Sequence, residues 1–185
     1  MEKIFIILGC IKMDEIKFYI KKEQIVKDKT IIPKSKNYLD KARKNLEVLD
    51  SLDKLNKNES AKNLLKISKS FDSSEWIVIC AYYSMYSAAL ALISKIGFRS
   101  KNHKATLLIL DEFFVKKKIL DEASYLILKN GVFQREEIEK LSEARHQREI
   151  AQYSITKETT KSIAEKIKKD AYSFVNKCEE ILQND

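Results

Sequence analysis

The chain has 185 residues, enough for one domain with its own core, and only three glycines and one proline, too few for a turn-rich β protein. Charged residues make up 34% of it and balance at +8, which permits an acidic partner such as nucleic acid. Cys10, Cys80 and Cys178 are dispersed and form no C-x-x-C pair, and the histidines are His103 and His146, so a zinc site or disulfide framework is not expected, nor any cofactor.

Residues 1–33 read as a short N-terminal extension, an arm or strand lying on the rest. Ile16, Phe18 and Ile20 alternate with polar residues, and Pro33 turns Ile32 away from helix. The apolar run Ile4–Leu8 is too short for a secretory segment, so a cytoplasmic protein is expected. Residues 34–185 read as one helical bundle. Ser35 can cap a helix running to about Leu52, with Tyr38, Ala42, Leu46 and Leu49 as its apolar stripe. Asn56–Asn58 reads as a break, Ala61–Ser68 as a short amphipathic piece, and Ser70–Ser73 as a turn.

Ile77 to Ser94 carries no charge. Ser74 is a candidate N-cap, Glu75 and Lys95 suit the helix dipole, and Gly97 suits the position just past the end. Trp76, Ile79, Tyr83, Tyr86, Leu90 and Ile93 form a stripe at three- and four-residue spacing, predicted to face inward. A helix apolar nearly all round belongs at the centre of a bundle. Three serines and three tyrosines spread along it argue against a membrane span. Buried tyrosines need hydroxyl partners, so Tyr82, Tyr83 and Tyr86 predict polar contacts inside the bundle.

A basic connector, Phe98–Lys104, leads to a helix over Ala105–Val115, and Leu120–Leu128 is a further helix ending before Asn130-Gly131. Glu136–Tyr153 is read as the next helix, and Thr156 as the cap of the last. Ile163, Ile167, Ala171, Phe174, Val175, Cys178 and Ile181 give that last helix its stripe. The whole predicts an all-α, up-and-down bundle of four to five helices.

Most of the basic residues are lysine. The arginines are Arg43, Arg99, Arg135, Arg145 and Arg148, and arginine is the usual choice for fixed phosphate or carboxylate contacts. Leu141, Ala144, Arg148 and Ala151 share one helix face, which places Arg148 on an inward stripe. A guanidinium there must meet a carboxylate, carbonyls or a ligand in a cleft. Gln152 lies one turn on and Arg145 one turn back, with Tyr153 at the helix end.

The stretch Ala81–Leu92, the Gly97-Phe-Arg-Ser-Lys-Asn-His103-Lys104 connector and Arg148-x-x-Ala151-x-Tyr153 together resemble the HEPN domain family, from about Ser35 onward. The resemblance implies a dimeric four- to five-helix bundle. It also implies a late-helix motif lining a cleft and a frequent pairing with a small nucleotidyltransferase in toxin–antitoxin systems. Some members are metal-independent endoribonucleases that use an arginine followed by a histidine. In this chain Tyr153 stands where that histidine would fall, His146 precedes Arg148, and Ser87 takes a place where relatives often have histidine. Tyrosine, with a pKa near ~10, is a poor general base at neutral pH. The expectation is therefore a non-catalytic homodimer that binds a nucleotide or RNA through Arg148, Arg145, Gln152 and Tyr153, with His103 and Lys104 as further candidates. The alternatives are an endoribonuclease with a non-standard motif and a regulatory subunit without a ligand.

Overall fold

A computed structural model describes the backbone of residues 14–147 and 153–184, and the side chains of these residues outside 136–160. In chain order the described elements begin with α1 (14–21), β1 (Ile25–Lys27) and a 3-10 turn (Lys29–Lys34). The next are α2 (Ser35–Lys57), α3 (Glu59–Leu64), α4 (Ser74–Lys95), β2 (Phe98–Ser100) and α5 (His103–Leu110). A π turn (Asp111–Val115) then leads to α6 (Glu122–Gln147) and α7 (Tyr153–Gln183). The described chain is an all-α bundle apart from one two-stranded ribbon.

Helix α4 is the centre. Its alanines let neighbouring backbones come close, and serines of α4 and α2 each find a carbonyl on the other helix. Ser84 donates to the Ala42 carbonyl (2.9 Å), and Ser35 donates to the Ala91 carbonyl (2.8 Å). At the other end Ser73 donates through its backbone N–H to Asn56 Oδ1 (2.9 Å). The pairs 35–91, 42–84 and 56–73 run in opposite directions, so α2 and α4 are antiparallel. Ion pairs and a hydrogen bond set α7 against α2 in the same way, through Arg43–Glu179, Asp50–Tyr172 and Asp53–Lys168. Contacts of Gly131 with Met85 and of Arg135 with Tyr82 make α6 antiparallel to α4. Helices α2, α4, α6 and α7 therefore alternate in direction, as expected of an up-and-down bundle.

The predicted stripe of α7 is the buried one: Ile167, Ala171, Phe174, Val175, Cys178 and Ile181 join the core, Ile163 packs against it half-buried, and burial raises the Cys178 thiol pKa. The predicted stripe of α4 is not. Trp76 is 60% exposed and Tyr83 39%, while Ile79, Tyr86 and Leu90 are half-buried and Ile93 alone is enclosed. In a helix apolar all round, periodicity cannot choose the inner face. Close packing turned Ala81, Ala88, Ala89 and Ala91 inward together with Ile77, Val78, Tyr82, Met85 and Leu92. Among the described residues α4 is long and apolar enough to cross a bilayer, yet 72% of its most apolar window is buried in the fold.

Other boundaries move for local reasons. Ser74 is the first helical residue of α4 rather than its cap, and Asp72 accepts from its N–H (2.9 Å). Gly97, at φ +76, ends that helix with its N–H on the Ser94 carbonyl (2.9 Å), in the left-handed conformation glycine adopts most readily. Helix α2 continues past Leu52 to Lys57, and Asn58 ends it while capping α3 through Ala61 N–H (2.9 Å). The helix expected to end before Asn130-Gly131 instead runs straight through. A Cβ on Gly131 would stand 2.5 Å from Met85 Cε, so this glycine serves close helix contact, not a turn. Tyr153, read as closing the preceding helix, stands at the start of the described α7, and Thr156 lies inside α7 rather than capping it.

The described residues before Pro33, 14–32, are stitched to the bundle. Residues 14–21 are helical rather than extended, and Ile16 is buried. Strand β1 pairs antiparallel with β2, with Ile25 opposite Ser100 and Lys27 opposite Phe98. Asp28 binds Arg99 at 2.9 Å.

The α2–α7 seam carries a pH-dependent contribution. Lys168 reaches Asp50 (2.8 Å) and Asp53 (2.9 Å), and Tyr172 donates to Asp50. Burial pushes both carboxyls up, but the hydrogen bonds from Lys168, with Tyr172 on Asp50 and Lys57 on Asp53, outweigh it and hold both below the usual carboxylate value. Burial pulls Lys168 down, but the two aspartates outweigh it and raise its pKa. Depressed carboxylates favour the folded chain above their unfolded value near ~3.9, and that contribution is lost as pH falls through the lower folded value. The lysine contribution is lost only as pH rises past ~10.4. Urea midpoints should therefore fall more steeply below about pH 4 for the wild-type chain than for Lys168→Met. Equal acid sensitivity of the two would remove the seam from the account.

Candidate functional site

Three tyrosines on α4 meet the start of α5 and the middle of α6. The β2–α5 turn fixes the first partner. Asn102 caps α5 by accepting from Ala105 N–H (2.8 Å) and donates to Gln24 Oε1 (3.0 Å), tying the turn to the end of α1. This sets His103, the first residue of α5, against α4. Its ring lies edge-on to Tyr86 (centroids 4.6 Å apart) and to Tyr82 (5.5 Å). The Tyr82 hydroxyl is hydrogen-bonded to His103 Nδ1. Thr106 donates to Tyr86 Oη at 3.3 Å and shares a 2.7 Å bond with Ser100.

The second partner is Arg135. It lies one turn beyond Gly131 on the same side of α6, where the glycine draws that helix against α4. Its guanidinium carbon stands 5.2 Å from the Tyr82 ring centre and 5.6 Å from that of Tyr83, a cation–π arrangement. Its Nη1 is 3.5 Å from His103 Nε2. A guanidinium only donates, so this contact fits the tautomer in which Nε2 accepts and Nδ1 donates to the Tyr82 hydroxyl oxygen. Burial, helped by Tyr86 and Tyr83 and opposed by Arg135, pushes the Tyr82 hydroxyl well above its ordinary pKa. Tyr82 is therefore a fixed neutral hydrogen-bonding group. The cluster presents a held cation, an imidazole and the partly open ring of Tyr83. Such a set can neutralise a phosphate and stack a base.

Of the residues singled out in the sequence, His103 is in this cluster. Lys104 is not: it turns to Glu15 (3.1 Å) and the Tyr19 ring (5.7 Å) on α1. Arg145 lies on α6 and Tyr153 begins the described α7, but their side chains are outside the described set. Arg148 and Gln152 lie outside the described residues altogether. The polar contacts expected of the tyrosines exist for Tyr82 and Tyr86. Sequence reasoning missed Arg135, because a helix ending at Asn130 leaves it in a loop. Its spacing of four from a glycine inside one continuous helix was the available signal. Among the described residues no three His, Cys, Asp or Glu side chains gather as metal ligands.

An alternating helical bundle whose tyrosine-bearing central helix meets a His-containing connector defines the class. The family model for the HEPN domain matches residues 55–181, and the chain belongs to the HEPN domain family. A UPF0332 protein of Archaeoglobus fulgidus is 35% identical over 97 residues, covering 52% of this chain and 66% of that relative. No solved structure matches the chain.

Proposed function

We propose that the chain binds RNA or a nucleotide without cleaving it, at the face where Arg135, His103 and the α4 tyrosines meet. In this reading Arg145, Arg148, Gln152 and Tyr153, the candidates from the sequence, add further contacts to the same ligand. The observation that carries it is the Arg135 guanidinium held over two tyrosine rings, 3.5 Å from an imidazole. A guanidinium pre-oriented in this way loses little freedom when it meets a phosphate. Binding of a labelled single-stranded RNA, followed by anisotropy, should weaken about tenfold in Arg135→Ala. The salt dependence of log affinity should also become shallower by about 0.7 in that variant. Unchanged affinity in Arg135→Ala rejects the reading.

The same reading takes the protein as a cytoplasmic homodimer, paired with a small nucleotidyltransferase as part of a toxin–antitoxin system. The exposed Trp76 and Phe133 support self-association, and family membership supports the pairing. Sedimentation tests the first, and co-purification with the product of a neighbouring reading frame tests the second.

One contact favours a second reading, that of a metal-independent endoribonuclease. In it the Arg135 guanidinium turns from His103 Nε2 to the phosphate, and the freed nitrogen takes the proton of a 2′-hydroxyl. Intact RNA after prolonged incubation with wild-type protein and chelator excludes it.

A further inference from the structure

The connector that carries His103 is gripped along its length by residues that precede α2. Arg99 pairs with Asp28 (2.9 Å), and Ser100 lies opposite Ile25 in the ribbon. Lys101 donates its N–H to the Gln24 carbonyl (2.9 Å), and Asn102 Nδ2 donates to Gln24 Oε1 (3.0 Å). Lys104 reaches Glu15 at 3.1 Å. His103 is thus bracketed. The residue on either side of it is bound to the segment 14–32, while its own ring turns to Tyr82 and Arg135. That segment precedes residues 55–181, the part the family model matches, so the grip on His103 comes from outside the matched region.

These ties are not equivalent. The ion pairs are exposed: Lys104 and Arg99 keep 67% and 48% of their side-chain surface. Such pairs contribute little and weaken further in salt. The Gln24–Asn102 contact is neutral and half-buried at both ends, so salt does not screen it. It also decides which way round the Asn102 amide stands. With Nδ2 donating to Gln24, Oδ1 is left to accept from Ala105 N–H (2.8 Å). That bond caps α5, whose first residue is His103. The start of the helix, and with it the direction in which the imidazole leaves the backbone, is therefore set from Gln24.

We infer that Gln24 is a positioning residue for the site: through Asn102 it holds His103 with Nδ1 on Tyr82 and Nε2 on Arg135. That this orientation serves a ligand rests on the binding reading given above, but the orientation itself can be measured with no ligand present.

Long-range proton–nitrogen correlation spectra of the full chain, at about pH 8 where an imidazole is neutral, report the tautomer of each ring. His146 is the other histidine, identified by the signal lost in His146→Asn. Wild-type His103 should show one tautomer, with its proton on Nδ1. Gln24→Met keeps the side-chain length but removes the acceptor, and should give an average of the two tautomers. Gln24→Glu keeps an acceptor and should restore the single one. Arg99→Gln cuts another tie between the same two segments and should leave the tautomer unchanged. Anisotropy with a labelled single-stranded RNA supplies the functional arm. Gln24→Met should weaken binding about three- to tenfold, as expected for one lost hydrogen bond. The same change should have no further effect in a His103→Ala background, because both act through one ring.

The inference is overturned if wild-type His103 already averages, or if Gln24→Met keeps a single tautomer. Failure of Gln24→Glu to restore it, or averaging in Arg99→Gln as well, also overturns it, since either result reduces Gln24 to general docking of the segment. So does an equal effect of Gln24→Met on RNA affinity with and without His103. A wild type that binds no RNA rejects the binding reading instead, and the spectra alone then decide the role of Gln24.

Discussion

Phe174→Ala should lower stability by about 3–5 kcal/mol, moving the thermal midpoint by roughly 6–20 °C for a chain of this size. The ring is fully enclosed on α7 and belongs to the same core as Val175, Ala171 and Cys178. Its truncation removes the apolar transfer contribution and leaves a void that rigid neighbouring helices close only partly. Thermal melts followed by far-ultraviolet circular dichroism read the shift. A loss under about 1 kcal/mol would mean that α7 can collapse onto α4, contrary to the close packing on which the fold description relies.

Gly131→Leu should be the next most damaging change, with Gly131→Ala close to neutral. Leucine gains helix propensity of just under ~1 kcal/mol over glycine. Its side chain must then fit where even a Cβ would meet Met85 Cε at 2.5 Å, with Ile167 Cδ1 at 4.0 Å. Met85 is itself fully enclosed. Overpacking of this kind costs about 1–3 kcal/mol and sometimes more, so a net loss of about 2 kcal/mol is expected. Alanine asks only the flexible end of Met85 to move, and its propensity gain offsets that. Melts of both variants decide the matter. A neutral leucine variant would imply that α6 stands further from α4, and the placement of Arg135 over the tyrosines would go with it.

How legible the molecule was depends on whether charged residues mark the outer side of each helix. On α2 and α7, lysine and glutamate cover one side, so Leu46, Leu49, Ile167 and Phe174 identify the buried faces from spacing alone. On α4 no charge marks the outer side, and the face that packed inward carries Val78, Tyr82, Met85 and Leu92 beside the alanines rather than most of the predicted stripe. Gly131 misled for a related reason: between Asn130 and Val132 it has the look of a turn, and only the proximity of Met85 explains it. The site divided in the same way. His103 stood out as one of two histidines, in a connector of recognisable pattern, whereas Arg135 joins it only once segments distant in sequence meet.

Trp76 is the chain's sole tryptophan, and it stands 60% exposed at the start of α4. Its indole is therefore solvated in the native state much as it would be in a denatured one. Emission wavelength should thus barely register global unfolding, even though the helix that carries this fluorophore is the most enclosed in the molecule. The same ring should respond by quenching or a blue shift when a second protein covers that side. An optical signal that is silent to denaturation yet sensitive to association separates two events that most intrinsic probes confound.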